Sequence, residues 1–265
     1  MPESLYAHPR VYDVAHDFRD YAWECDAVLA WAARVLGRPP RRALEVACGP
    51  AYHACELGRR GLEVHGLDLS PLMGAYARER AARAGVRLET HAGDMMAFDL
   101  ADPPFDLALC MIDSTLHVPT VDRMVDHLRA VARHLGPSGA YVIEQNHPAQ
   151  YLGRRALVDL EWTERDPETG LEVWIRYEDP GARLDPITQI ASVTVTTRVR
   201  EPGRPERRLV DETRLRVWLA GEMEAAIRLS GAFAIAARHA DFEPDAPFDD
   251  GLESWRMIHV LRKTA

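Results

Sequence analysis

ALEVACGPAYHACELGRRG, residues 43–61, decides the fold, because a short apolar run through Ala47 passes a tight turn at Cys48–Ala51 straight into a helical stretch starting at about His53. A strand that turns directly into a helix brings its backbone close to whatever lies above the turn and aims the first N–H groups of the helix outward. Working outward from that stretch, the same alternation repeats. LEVHGLDL (62–69), VRLETHA (86–92), FDLALCMI (105–112) and AYVIEQ (140–145) read as strands. Between the second and third runs, Ser70 and Pro71 supply an N-cap and a first helical residue, and Gly85 closes the helix. Between the fourth and fifth, Val121, Met124, Val125, Leu128, Val131, Ala132 and Leu135 line one helical face that the GPSG turn at 136–139 ends. Strands alternating with helices imply βαβ units and a parallel sheet.

Upstream, Phe18, Ala22, Cys25, Leu29, Ala32 and Leu36 recur at helical spacing over residues 17–36, before Gly37, Pro39 and Pro40. Downstream the period changes to that of strands. LVDLEWTER, LEVWIRYED, ITQIASVTVTTRVR and ERRLVDETRLRVWL are separated by loops that include DPETG and EPGRP, a β-meander over 157–218. The helix GEMEAAIRLSG then precedes two strands, FAIAARHADF and WRMIHVLRK, that return to the main sheet. The expected architecture is α/β: a Rossmann-like, mostly parallel seven-stranded sheet with an inserted antiparallel meander and an N-terminal helical segment. Its divisions are a helical cap at 1–38, a cofactor-binding core at 39–156, an inserted sheet covering the substrate site at 157–218, and the rest of the core at 219–265.

Net charge is -9 over 265 residues, and Lys263 is the only lysine, so no basic stripe for a nucleic acid is written here. Cys25, Cys48, Cys55 and Cys110 form no CxxC pair, which predicts reduced thiols, no metal site and a cytoplasmic protein. No stretch reaches the roughly 18 apolar residues that a membrane span requires, and MPESLYAHPR has no leader pattern. The expected partner is a small-molecule substrate, with no nucleic acid and no membrane, and a homodimer is compatible with the sequence.

Asp68 ends the second strand, roughly 20 residues beyond the turn, where a carboxylate can accept from both hydroxyls of a ribose. Loop plus acid suits any nucleoside. A pyrophosphate fingerprint, however, needs glycine at 49, 51 and 54, and the chain has Gly49, Ala51 and Ala54. A dinucleotide is disfavoured, whereas S-adenosyl-L-methionine has no pyrophosphate to cradle.

In order and spacing, ALEVACGPAYHACELGRRG, GLDLS, AGDMMAF and FDLALCMIDSTLHV resemble the motif series of class I S-adenosylmethionine-dependent methyltransferases over about residues 40–145. DYAWEC in the leading helix and the meander are similar to small-molecule N-methyltransferases of the glycine N-methyltransferase and aminosugar N,N-dimethyltransferase kind. The resemblance implies a cofactor site in which Ala47, Cys48 and Gly49, following Glu45, lie against the methionine portion and Asp68 holds the ribose. It further implies that Leu69 flanks the adenine, Gly93, Asp94 and Met95 border its edge, Cys110 and Met111 lie beneath the sulfonium, and Tyr21 closes over the cofactor. Ala47 and Ala51 stand where the family's loop has glycines, which predicts negative φ at both, and Pro50 removes an N–H.

His117, in the segment that faces the transferred methyl in the resembling enzymes, is the leading candidate for a base, with Tyr12 beside it as a catalytic candidate. Asp113, Ser114, Glu144, Asn146 and His147, near the carboxyl ends of strands, and Trp174 and Arg176, on the meander, are the substrate-binding candidates. Each has a plainer reading: Asp68 as a charge at a helix N-terminus, the cysteines as small hydrophobes, and Trp162, Trp174 and Tyr177 as aromatics burying one face of a sheet. The expected reaction is methyl transfer to an amine nitrogen; transfer to oxygen, and a non-catalytic cofactor-binding relic of the fold, are the alternatives.

Overall fold

A computed structural model describes residues 4–101, 104–152, 160–178, 183–243, 246–251 and 253–264. In chain order the principal elements are α1 (Pro9–Ala15), α2 (Tyr21–Leu36), β1 (Arg42–Val46), α3 (Tyr52–Arg59), β2 (Glu63–Asp68), α4 (Pro71–Arg83), β3 (Leu88–Ala92) and β4 (Phe105–Cys110). They continue with α5 (Val121–His134), β5 (Leu135–Asn146), β6 (Glu161–Arg165), β7 (Glu172–Tyr177), β8 (Ile190–Arg200), β9 (Arg207–Arg216), α6 (Ala220–Ser230), β10 (Phe233–His239) and β11 (Arg256–Lys263). The contacts divide the chain into two compact units. One holds the residues up to Asp20 together with Ala149–Val217, and the other holds Tyr21–Pro148 and the residues from Trp218 on.

The larger unit is a seven-stranded sheet in the order β10-β11-β5-β4-β1-β2-β3. Strands β1 to β5 run parallel, and β11 returns antiparallel between β10 and β5. Leu44, Leu67, Phe105, Leu107, Leu109, Val142 and Val260 are buried along the central strands, as expected of parallel strands covered on both faces. Because β1 pairs with β2 on one side and β4 on the other, the chain reverses direction of assembly at β1, and the crevice at the carboxyl ends of β1 and β4 is where open α/β sheets bind ligands.

Local signals set the helix boundaries. The Ser70 hydroxyl accepts from Met73 N–H at 3.4 Å before α4, and the Thr120 hydroxyl from Arg123 N–H at 3.2 Å before α5. Helix α2 begins at Tyr21 rather than 17, after a separate helix, α1, that was not anticipated; Pro9 opens it and Val11, Val14 and Ala15 bury one side. GPSG at 136–139 is not a free turn. It lies within β5, where the pairing with β4 jumps from Phe105↔Leu135 to Leu107↔Ala140, so the extra residues bulge from the ladder around Ser138 at φ +59°.

The smaller unit is the antiparallel sheet β6-β7-β8-β9. Val173, Ile175, Ala191, Val193 and Val195 form its buried face together with Leu5, Val11, Val14 and Ala15 from the N-terminal segment. The first three residues of the expected strand at 157–165 lie outside the described residues.

Candidate functional site

Helix α3 starts from a loop folded in the left-handed region, with φ of +55° at Ala47, +50° at Gly49 and +59° at Ala51. The expectation of negative φ at the two alanines is overturned. The loop keeps the backbone path that glycines favour, pinned by Cys48 N–H to Leu67 O at 2.9 Å and Ala51 N–H to Cys48 O at 2.7 Å. Cys48 fits only because position 66 is glycine: a Cβ there would stand 2.7 Å from the Cys48 sulfur. Burial raises the Cys48 thiol well above its usual range, so it is inert packing.

Asp68, half-buried at the end of β2, accepts Gly49 N–H on one oxygen and Ser70 N–H on the other, each at 2.8 Å. Burial raises its pKa, partly offset by those two N–H groups. Each oxygen keeps lone-pair capacity for a further donor. Leu69 beside it is 75% exposed, an apolar surface open to a flat ring.

Glu45, by contrast, turns its carboxylate inward. One oxygen accepts Ala54 N–H at 2.8 Å in the first turn of α3, and the other meets His53 Nδ1 at 3.2 Å, while Glu24 of α2 meets His53 Nε2 at 2.8 Å. All three residues are buried. Burial alone would lower the His53 pKa, but its hydrogen bonds to Glu24 and Glu45 raise it to about 9. A buried Glu–His–Glu chain therefore ties α2 and α3 to β1. Tyr21 packs onto the same corner, stacked on Tyr52 at 4.3 Å between centroids and edge-on to His53 at 5.2 Å.

The loop after β3 is braced from α5. Gly93 N–H donates to Asp68 O at 2.9 Å, and Asp94 accepts Met96 N–H at 2.8 Å. His127 is buried, and burial lowers its pKa to about 4, so the ring is neutral. Nδ1–H then donates to Met95 O at 2.9 Å and Nε2 accepts from the Tyr141 hydroxyl at 2.6 Å. Neither His127 nor the Glu24–His53 pair was anticipated. The only signal for them was polar residues at positions whose helical period calls for burial.

After β4, Cys110 and Met111 are buried, and burial raises the Cys110 thiol to about 12. The chain then takes two consecutive left-handed residues, Ile112 at φ +53° and Asp113 at φ +57°. For a β-branched residue this is strained backbone, and buried polar groups hold it. Glu144 accepts Ile112 N–H on one oxygen and Arg256 Nη1 at 2.7 Å on the other, while Asp113 accepts the Asn146 backbone N–H at 2.6 Å and its side-chain amide. The carboxylate of Glu144 and the amide of Asn146 are thus engaged in holding the turn. His147 is buried beside Phe248, with Nε2 at 3.1 Å from Asp249 O. Ser114 opens a short 3₁₀ turn, its hydroxyl donating to Met111 O at 2.8 Å. His117 ends that turn solvent-accessible, with the surrounding protein holding its pKa below the usual value.

In the antiparallel unit the candidates separate onto two faces. Tyr12 stacks on His16 at 4.1 Å, on the side where Trp162 donates from Nε1 to Ala15 O at 2.6 Å and stacks with Tyr177. Trp174 lies between the inward residues Val173 and Ile175 of β7, so it points to the opposite face, where the Arg198 guanidinium covers its ring at 4.5 Å. Arg176, two residues on, shares that face and is exposed.

Residues 43–139 match the methyltransferase domain family. A dTDP-4-amino-2,3,4,6-tetradeoxy-D-glucose N,N-dimethyltransferase from Saccharopolyspora spinosa is 34% identical over 138 residues, 52% of this chain and about half (53%) of the relative's own length. A dTDP-3-amino-3,4,6-trideoxy-alpha-D-glucopyranose N,N-dimethyltransferase from Streptomyces venezuelae is 28% identical over 229 residues, 84% of this chain and 89% of the relative. Among solved structures, an S-adenosylmethionine-dependent methyltransferase from Clostridium acetobutylicum superposes with a TM-score of 0.76 at 18% identity, covering 97% of this chain and 98% of that one. Residues 43–139 thus resemble the methyltransferase domain family, and the chain as a whole shares the fold of that S-adenosylmethionine-dependent methyltransferase.

Proposed function

We propose that this protein is an S-adenosylmethionine-dependent methyltransferase acting on the amino group of a small molecule, an amino sugar being the acceptor class that the names of the two relatives suggest. The observation that carries the reading is the pairing of Asp68 with the 47–51 loop. Asp68 spends one lone pair per oxygen on backbone and offers the rest to the two ribose hydroxyls. Glu45 already takes the Ala54 N–H in the first turn of α3, a donor that a diphosphate bound at this helix start would use.

The cofactor supplies an activated methyl; the chain's own residues supply position. Ala47, Cys48 and Gly49 flank the methionine portion, Leu69 and the 93–95 loop hold the adenine with Asp94 facing its amine, and Tyr21 with Cys110 and Met111 bounds the sulfonium. Glu45 acts through His53, Ala54 and the loop. Glu144 and Asn146 act by holding the Ile112–Asp113 turn that leads to Ser114 and His117. Orienting nucleophile and methyl lowers the barrier by about 7–11 kcal/mol. A base that takes the ammonium proton adds roughly 10²–10⁴-fold, and His117, at the end of the turn that follows β4, is the candidate for that task.

No helix among the described residues is long and apolar enough to cross a membrane. A cytoplasmic location is supported by four cysteines that are all free and buried, and a homodimer would show as twice the chain mass in light scattering. The reading is tested by incubating the protein with methyl-labelled cofactor and a panel of small amines and alcohols, alongside calorimetry with S-adenosylhomocysteine. Label is expected on nitrogen, and Asp68→Ala is expected to weaken nucleoside binding by about 1.5–3 kcal/mol. Label on hydroxyls alone refutes the amine acceptor, and absence of S-adenosylhomocysteine binding refutes the cofactor.

A further inference from the structure

On the face of the main sheet away from α4, the geometry points to a zinc site formed by His65 of β2 with Glu89 and His91 of β3. The faces are fixed by Thr90. Its side chain is the group that a Cβ on Gly74 of α4 would meet, at 3.4 Å, and it accepts from Arg78 of the same helix, so its strand neighbours Glu89 and His91 project the other way. His65 lies on that same side, its Nδ1 3.0 Å from His91 Nε2 and the two rings stacked at 5.3 Å and 5°. One ligand atom from each of His65, Glu89 and His91 falls within 4.8 Å of the others. Two nitrogens bonded to one tetrahedral zinc at 2.0–2.1 Å stand roughly 3.3 Å apart, so the pair already holds close to the separation a shared ion requires, and rotation of the half-buried His91 ring would turn its lone pair onto it.

The surroundings are those of a ligand rather than of an incidental histidine contact. Histidines that bind metal nearly always present their other nitrogen to a carboxylate or carbonyl, which fixes the tautomer. His65 Nε2 is 3.2 Å from Glu63, whose carboxylate is in turn held by Arg42 Nη2 at 2.8 Å. The Phe105 ring, edge-on to His65 at 4.9 Å, fixes the imidazole from the side. His65 is buried, whereas His91 is half-buried and Glu89 exposed, so an ion reaches the cluster from solvent. Two imidazoles, one carboxylate and a water make a four-coordinate set that suits zinc better than the hard ions magnesium and calcium.

A metal here clips the edge strand β3 to β2 on a face that no helix between β3 and β4 covers among the described residues. The proposal departs from the expectation of no metal, which was drawn from cysteine spacing, because these ligands converge through strand pairing and not through a local motif.

Calorimetric titration of the EDTA-stripped full-length protein with zinc chloride tests the site. One zinc per chain with a raised melting temperature is expected, along with intensified visible absorption when cobalt(II) is substituted. His91→Ala and the exposed Glu89→Gln should each lose at least about tenfold in affinity, and Glu63→Gln about 10–100-fold, the range for an outer-shell partner. Glu89→Gln keeps the test valid should a histidine variant fail to fold. Methyl transfer by the stripped protein should stay intact. No stoichiometric zinc uptake by the native chain, or unchanged affinity in folded Glu89→Gln and His91→Ala, overturns the proposal.

Discussion

Ala47 and Ala51 hold left-handed backbone in which a Cβ costs roughly 1–2 kcal/mol. Replacing either by glycine removes that strain, while the freer unfolded chain gives back about 0.4–1 kcal/mol. The expected outcome is that Ala47→Gly and Ala51→Gly are neutral or stabilising by up to about 1.6 kcal/mol in urea unfolding. Ala77→Gly, in the regular helix α4, should lose about 0.5–1 kcal/mol from the helix backbone and about 0.8 kcal/mol more from its buried methyl. Loss of stability in the loop variants would show that the loop follows another path in solution. Asp68 illustrates what a single position discloses: its place at the end of a strand makes it the candidate proposed above for the ribose, but the two N–H groups it holds become visible only in three dimensions.

At the scale of elements, α2 and α3 are joined to β1 through Glu24, His53 and Glu45, and this chain titrates. The His53 pKa is raised from 6.5 to about 9 in the folded protein. Its contribution is therefore fully present below pH 6.5 and is lost as pH rises through about 9. Urea midpoints of the native protein should fall across that window, and His53→Gln should flatten the fall. Removing one carboxylate, as in Glu24→Ala, leaves the buried His53 Nε2 without its acceptor while Glu45 still meets Nδ1, and should cost about 1–3 kcal/mol. An unchanged pH profile in His53→Gln would place the titration elsewhere. None of this was readable beforehand, because Glu24 and His53 are 29 residues apart and nothing local pairs them. The helices themselves were legible, since caps such as Ser70 and periodic apolar faces act within a few residues.

For the whole molecule, the described strands and the two-sheet architecture match the expected fold class, while the antiparallel placement of β11 beside β5 is seen only in the structure. The acceptor candidates on the antiparallel unit are a different matter. Tyr12 lies on its helix-bearing face and Trp174 with Arg176 on the other, so a pocket on one face includes one group and not both. Steady-state kinetics of Tyr12→Phe and Trp174→Ala should therefore show a raised KM for the acceptor in only one variant. A comparable rise in both would contradict the two-faced arrangement.

By itself the sequence determined the order of strands and helices apart from α1, the turn from β1 into α3 with Asp68 ending β2, and the resemblance that names the cofactor, since each is written in short-range patterns of period, caps and spacing. Only tertiary structure decided that Glu45, Glu144 and Asn146 face inward to hold turns, that Ala47 and Ala51 take a glycine's conformation, and that His65, Glu89 and His91 share one face. These outcomes depend on which side chains strand pairing and helix packing bring together, and residues remote in sequence meet only when the apolar core closes around them.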